Sequence, residues 1–207
     1  MQLEKVIYEK RGPFVIATIN NEEQLNGLSP GVRRDMNRVW DTFEADPEAR
    51  IMIITGKGRA FCAGADISEA VALEGVKDAQ RFLRDIIPFL GRVETLKKPV
   101  IAAVNGLALG GGCELAISCD IIIASEKAQF GGPEAKIGVV PGFAVLRLHQ
   151  IIGRARSKEL TMTCKFISAE QAYQWGLVNR VVPHEQLLDA AIEMANDILP
   201  QAPMAIE

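Results

Sequence analysis

VIAAVNGLALGGGCELAISCD, residues Val100–Asp120, is the stretch from which the rest of the chain is read. An apolar, strand-like run (Val100–Val104) reaches the Asn105-Gly106 turn signal and passes through the small residues Leu107–Leu109. It then meets three consecutive glycines, Gly110–Gly112, and enters a helix-compatible stretch with Glu114 in its opening turn. Glycine adopts backbone angles that a side chain forbids and lets another group approach closely. The first N–H groups of a helix have no intrahelical acceptor and point outward, where they can hold negative charge. An N–H donor beside a carboxylate is the equipment of an oxyanion hole with an acid or base next to it. A tight strand-to-helix turn packed in the core is the other reading, and the glycine triplet alone favours it.

Working outward, Lys5–Glu9 and Phe14–Asn20 alternate as strands around the turn residues Lys10–Pro13, which predicts an opening hairpin. Ser29-Pro30 is a helix cap followed by proline, and Val32, Met36, Val39, Trp40 and Phe43 recur at helical spacing, giving a helix to about Ala45. The β-branched run Ile51–Thr55 predicts a buried strand. The following GKGRAF lacks the third glycine of a dinucleotide fingerprint because position 61 is Phe, so a nicotinamide enzyme is set aside. Cys62–Ile67 is a second small-residue loop, around Gly64. Asp78–Leu96 reads as a helix with Phe82, Ile86, Phe89, Leu90 and Val93 on one side and Pro88 as a kink. The weakly patterned Ser68–Lys77 before it reads as a mobile segment.

Beyond the central stretch, Cys113–Ser118 is a short helix and Ile121–Ala124 a strand. Ala128–Glu134 is a loop fixed by Gly131, Gly132 and Pro133 that carries a second carboxylate, Glu134. Leu146–Ile152 and Ala155–Thr163 look helical. Ser168–Gln171 fits a capping box, with Gly176 ending the helix that it starts. Leu177–Val182 is a strand candidate, and Glu185–Leu199 an amphipathic helix. Strands separated by helices, with no linker, predict a single α/β domain over residues 1–207 with one layer of sheet.

Composition narrows the function. Of 207 residues, 48% are hydrophobic and 24% charged, and no apolar run approaches the roughly 20 residues of a membrane span. A net charge of −3 with scattered basic residues gives nothing to attract nucleic acid or an acidic membrane. Cys62, Cys113, Cys119 and Cys164 lie in apolar segments without metal-type spacing to each other or to His149 and His184. They read as buried thiols of a reducing compartment, and no metal is expected. The opening MQLEKVIYEKRG has neither the apolar core of a signal peptide nor the pattern of a transit peptide, so the expectation is cytoplasm.

The segments AFCAGADI (Ala60–Ile67), NGLALGGGCELAISCD (Asn105–Asp120), AQFGGPEAKIG (Ala128–Gly138) and GLVNRVVP (Gly176–Pro183) together resemble the crotonase superfamily of enoyl-CoA hydratases and isomerases, in order and at compatible spacing. The resemblance implies a crotonase-like spiral of ββα units, assembled as a trimer or a dimer of trimers, that binds an acyl-CoA thioester. Family chains continue past Glu207, which implies that the C-terminal helical region is incomplete here.

Residue by residue, the resemblance implies oxyanion-hole N–H groups at Ala65 and Gly111. It implies two catalytic glutamates, Glu114 as the base toward water, favoured by its helix amino terminus, and Glu134 as a protonated acid beside Phe130 and Ile137. The substrate is expected against Ala63, Gly64, Asp66, Ile67, Gly110, Pro133, Gly142 and Phe143. No cofactor is implied, since coenzyme A belongs to the substrate. Where the family has a glycine-rich PG-x-GG-T segment, this sequence has the bulkier Pro141-Gly142-Phe143-Ala144-Val145-Leu146, which implies a reshaped acyl pocket. Hydration of a 2-enoyl-CoA to the 3-hydroxyacyl-CoA is the leading expectation. An enoyl-CoA isomerase, a crotonase-type enzyme for a cyclic or otherwise unusual acyl-CoA, and a non-catalytic acyl-CoA-binding protein are the alternatives.

Overall fold

Consecutive residues of the apolar runs are buried on opposite faces of one sheet, which is why those runs are apolar throughout rather than alternating. Ile51, Ile53, Ile101 and Ile123 belong to one core with Leu187, Ala191 and Ala195. Met52, Ile54, Ala102 and Val104 belong to the other, with Trp40, Phe43 and Phe61. The structure is a computed structural model that describes residues 2–66, 69 and 75–206. Its larger sheet is formed by β1 (Val6–Arg11), β2 (Phe14–Ile19), β3 (Ile51–Gly56), β5 (Val100–Val104), β7 (Ile121–Ser125) and β10 (Arg180–Val182), in that spatial order. The first two strands make the expected antiparallel hairpin, and every later pairing in this sheet is parallel.

The expectation of one sheet layer is corrected by a second sheet, formed by β4 (Ala60–Cys62), β6 (Leu107–Leu109), β8 (Gln129–Gly131) and β9 (Ile167–Ser168). Each coil of chain places a long strand in the larger sheet, turns a corner, places a short strand in the smaller one, and leaves as a helix. β3 and β4 lead to α2 (Val76–Glu94), β5 and β6 to α3 (Gly111–Ile117), and β7 and β8 onward to α4 (Gly142–Ile152). This is the spiral of ββα units. Strands of three residues are too short to show a period, which hid the second layer from the sequence.

Asn105-Gly106 is the corner of such a coil rather than a hairpin turn. The Asn105 side chain accepts from the Gly56 N–H at 3.0 Å and donates to the carbonyls of Gly58 at 2.9 Å and Ala60 at 3.2 Å. One corner is thereby tied to the corner before it, and a Cβ on Gly106 would overlap the carbonyl of Arg59. Asn26 also donates to the Ala60 carbonyl, at 2.7 Å, joining the loop that precedes α1 (Pro30–Ala45) to the same point.

The helices complete the frame. Ser29 caps α1 by accepting from the Val32 N–H at 3.4 Å. α1 packs on α2 through the Trp40 and Phe89 rings, 4.7 Å apart, and Pro88 lies inside α2 as expected. α4 begins at Gly142, four residues before the start expected, and is followed by α5 (Arg154–Thr163). Ser168 caps α6 (Ala169–Gln174) by accepting from the Gln171 N–H, and Gly176, at φ +80°, ends that segment. The strand expected over Leu177–Val182 shrinks to β10, because Asn179 is a loop residue whose side chain accepts from the Ile122 N–H at 2.8 Å. α7 (Leu187–Ile198) covers the outer face of the larger sheet, and α8 (Pro203–Ile206) follows. Val76 and Lys77 open α2; the expectations for Ile67 and for most of 68–75 lie outside the described residues. Among the described residues no helix is long and apolar enough to cross a membrane.

Candidate active site

Three successive coils deliver three loops to one place. After β4, Ala63 donates to the Leu25 carbonyl at 3.0 Å, and the Gly64 carbonyl accepts from the Leu28 N–H at 2.8 Å. Gly64 is held at φ +101°, a region that side chains disfavour, and Ala65 follows in a single bridge to Leu28. After β6, Gly110 turns at φ +53° and donates to the Gly131 carbonyl at 2.8 Å, and Gly111 becomes the first residue of α3. As the opening residue, Gly111 has no carbonyl behind it within the helix to receive its N–H.

The two small-residue loops touch. A Cβ on Gly111 would lie 3.4 Å from the Ala65 nitrogen, and a Cβ on Gly64 would lie 3.2 Å from the Gly111 nitrogen. The two loops are therefore in close contact, and a Cβ on Gly64 would also overlap the Leu109 carbonyl. Gly112 seats α3 behind them, where a Cβ would overlap the Cys62 carbonyl.

Glu114 is the fourth residue of α3 and is buried. Its Oε1 accepts two hydrogen bonds, from the N–H groups of Phe143 and Ala144, both at 2.8 Å. Glu114 thus lies in the first turn of its own helix, as expected, and accepts in addition from the first turn of α4, which the sequence reading did not include. Burial raises the Glu114 pKa, and the amides of Ala144 and Phe143 pull it back down.

Glu134 sits in a 3₁₀ turn, Pro133–Ile137, after β8. Its carboxyl lies against two glycines. A Cβ on Gly110 would come within 3.2 Å of one oxygen, and a Cβ on Gly132 within 3.2 Å of the other. Among the described residues the buried Oε2 has no protein hydrogen-bond partner. Burial pushes the Glu134 pKa up to about 7, and the charge of Glu114 adds to the rise. Burial thus raises both carboxyls, and they differ in their hydrogen bonds: Glu114 accepts from two amides at one oxygen, whereas among the described residues Oε2 of Glu134 has no protein partner.

Both face a cavity of about 240 Å³. Ala63, Gly64, Ala65, Gly110, Gly111, Glu114, Pro133, Glu134, Gly142 and Phe143 all line it, so ten of the expected residues are brought together. Asp66 is not in the lining; its carbonyl accepts from the Glu69 N–H at 3.1 Å. Ile137, expected as an apolar neighbour of Glu134, lines the cavity but is 60% exposed.

The sequence reading did not identify the apolar wall opposite. Phe82, Ile86, Ile87 and Leu90 of α2 form it with Val139 and Val140. Helical spacing marked Phe82, Ile86 and Leu90 as a buried face without showing that the face borders a cavity; Ile87 falls off that stripe. Among the described residues no cluster of His, Cys, Asp or Glu is arranged to hold a metal ion.

A spiral of ββα coils with paired amides and paired carboxyls around one apolar cavity defines a crotonase-type protein. The sequence pattern of the enoyl-CoA hydratase/isomerase family matches residues 10–207. The chain is 44% identical over 209 residues to a short-chain-enoyl-CoA hydratase of Clostridium acetobutylicum, covering all of this chain and 80% of the relative. It is 40% identical to a mitochondrial enoyl-CoA hydratase of Pongo abelii, covering 94% and 68%. An enoyl-CoA hydratase structure from Bacillus anthracis superposes with a TM-score of 0.93 at 36% identity, covering 98% of this chain and 80% of that one. This chain belongs to the enoyl-CoA hydratase/isomerase family.

Proposed function

We propose that this protein is an enoyl-CoA hydratase, adding water across the 2,3 double bond of an enoyl-CoA to give the 3-hydroxyacyl-CoA. The observation that carries the reading is the pair Glu114 and Glu134 facing one cavity beside the Ala65 and Gly111 amides. The thioester carbonyl oxygen accepts from those two N–H groups. The Glu114 carboxylate takes a proton from water as the hydroxide bonds to the β-carbon, and the π electrons move onto the thioester oxygen as an enolate. Glu134, protonated, gives its proton to the α-carbon, and the carbonyl re-forms. An N–H aimed at the developing oxyanion contributes about 3–4 kcal/mol to lowering the barrier.

The two amide hydrogen bonds that favour the Glu114 carboxylate, beside the unpartnered Oε2 of Glu134, support this division of labour, because hydration needs one base and one acid at the same pH. Every step uses this chain's own groups, so the reading includes no cofactor beyond the coenzyme A of the substrate. Self-association, as a trimer or a dimer of trimers, belongs to the same proposal; light scattering tests it.

The experiment is to mix the protein with crotonyl-CoA and follow the absorbance of the conjugated enoyl thioester. Hydration makes it fall and yields 3-hydroxybutyryl-CoA. An unchanged signal, or activity confined to a 3-enoyl-CoA with rising absorbance, contradicts hydration and favours an isomerase.

A further inference from the structure

We propose that Arg33 is a positioning residue for the oxyanion site: together with Glu69 it clamps the loop after β4 against the start of α1 and so fixes where the Ala65 N–H points. The inference rests on the hydratase reading and deepens it by adding a residue that acts through Ala65.

Arg33 lies in the first turn of α1 and is only 8% exposed, although it stands off the apolar stripe of that helix. A buried guanidinium needs acceptors that match its donors. Nη1 donates to the Leu28 carbonyl at 2.6 Å and to Oε2 of Glu69 at 2.8 Å, and Nη2 donates to Oε1 of Glu69 at 3.1 Å. The planar fork thus joins one carboxylate to one backbone carbonyl, a geometry that a lysine ammonium does not reproduce. The next residue makes the contrast. Arg34 pairs with Glu4 through side chains 48% and 73% exposed, where an ion pair holds little in place, whereas the Arg33 and Glu69 side chains are 10% and 27% exposed.

Both acceptors of Arg33 belong to the frame of Ala65. Leu28 is the residue that bridges to Ala65, in parallel, and its N–H donates to the Gly64 carbonyl. Such a bridge is bonded through the residues that flank Ala65, so the N–H of Ala65 itself turns away from Leu28. Gly111 stands close to that nitrogen, where its Cβ would lie 3.4 Å away. Past Ala65 the chain is held a second time, because the Asp66 carbonyl accepts from the Glu69 N–H at 3.1 Å. Arg33 therefore grips the residue that Ala65 pairs with and the residue that closes the turn after it. A displacement of about 1 Å at a catalytic donor costs on the order of 10²-fold in rate, so loosening this grip should lower turnover more than binding.

Arg33→Lys keeps the charge and loses the fork, and Glu69→Ala releases the loop from its more exposed side. For each, three quantities are compared with the wild type: kcat for crotonyl-CoA hydration, Kd for butyryl-CoA, and the infrared carbonyl stretch of bound butyryl-CoA labelled with ¹³C at the thioester carbon. The stretch falls when the carbonyl accepts hydrogen bonds, and it needs no turnover. The wild type is expected to lower it. At least one variant is expected to return it halfway or more to the value of free butyryl-CoA, with kcat lowered fivefold or more and Kd within threefold. Variants that both keep the wild-type stretch, or both retain kcat within fivefold, overturn the positioning role, as does a wild type that leaves the stretch unmoved. A wild type that lowers the stretch yet hydrates no crotonyl-CoA contradicts the hydratase reading alone, and the stretch in the two variants then decides the clamp.

Discussion

Oε1 of Glu114 lies 2.8 Å from the Phe143 nitrogen and accepts its hydrogen bond, with the Ala144 N–H donating to the same oxygen at the same distance. A carboxyl on the first turn of one helix is thus oriented by the first turn of another. Two charge-assisted bonds at one oxygen leave Oε2 as the oxygen available to water. The cavity floor is consequently built from a contact between residues 29 positions apart in sequence.

Glu134 gives the protein a pH signature. Its folded pKa, pushed up to about 7 by burial, stands above the ordinary 4.5, so the folded state holds a proton that the unfolded chain has released. Stability from this group is complete below about pH 4.5 and is lost as pH rises through about 7. Urea denaturation should show Glu134→Gln gaining on the wild type by up to roughly 3 kcal/mol between pH 4.5 and pH 8. Parallel stability curves contradict the assignment. As pH rises through about 7, kcat for hydration should fall, since the acid is being lost.

Gly112 tests the seating of α3. Its Cβ would overlap the Cys62 carbonyl, a backbone atom in β4 that cannot swing away. Gly112→Ala should cost about 3 kcal/mol or more in chemical denaturation. Among the described residues a Cβ on Gly91 meets no atom within 4 Å, and Gly91→Ala serves as the tolerated control.

The cysteines give a simple accessibility test. All four are buried, and burial pushes the thiols of Cys62 and Cys113 up to about 12, with Glu134 and Glu114 adding to the rise at Cys113. A thiol-specific disulfide reagent at pH 8 should label none of them in the folded protein and all four in denaturant. Rapid labelling of Cys113 in the native state would contradict the closed packing behind the two carboxyls.

Local signals made much of this fold readable from sequence. Ser29-Pro30 started a helix because capping is decided within four residues, and Ile51–Ile54 read as a strand because both of its faces are buried. What stayed hidden was decided at a distance. Leu107–Leu109 is a strand only because β4 and β8 flank it, and Asn105-Gly106 is a coil corner because Arg59 crowds Gly106. The candidate site divides in the same way. The carboxyls and glycines are visible as motifs, whereas the α4 amides that hold Glu114 come from a segment that departs from the family pattern. Phe82, Ile86 and Leu90 show the stripe of any buried helix face, and nothing local distinguishes a face that borders a cavity from one that borders core.

The central claim is that Glu114 is the base that activates water. Glu114→Gln retains an oxygen to accept from Phe143 and Ala144 while losing the capacity to take a proton, so it removes the chemistry and spares the geometry. The measurement is the steady-state rate of crotonyl-CoA hydration by this variant, taken beside its Kd for butyryl-CoA. The expected result is a rate lowered by about 10²–10⁴-fold with binding within threefold of the wild type. A variant that hydrates crotonyl-CoA within threefold of the wild-type rate would contradict the account.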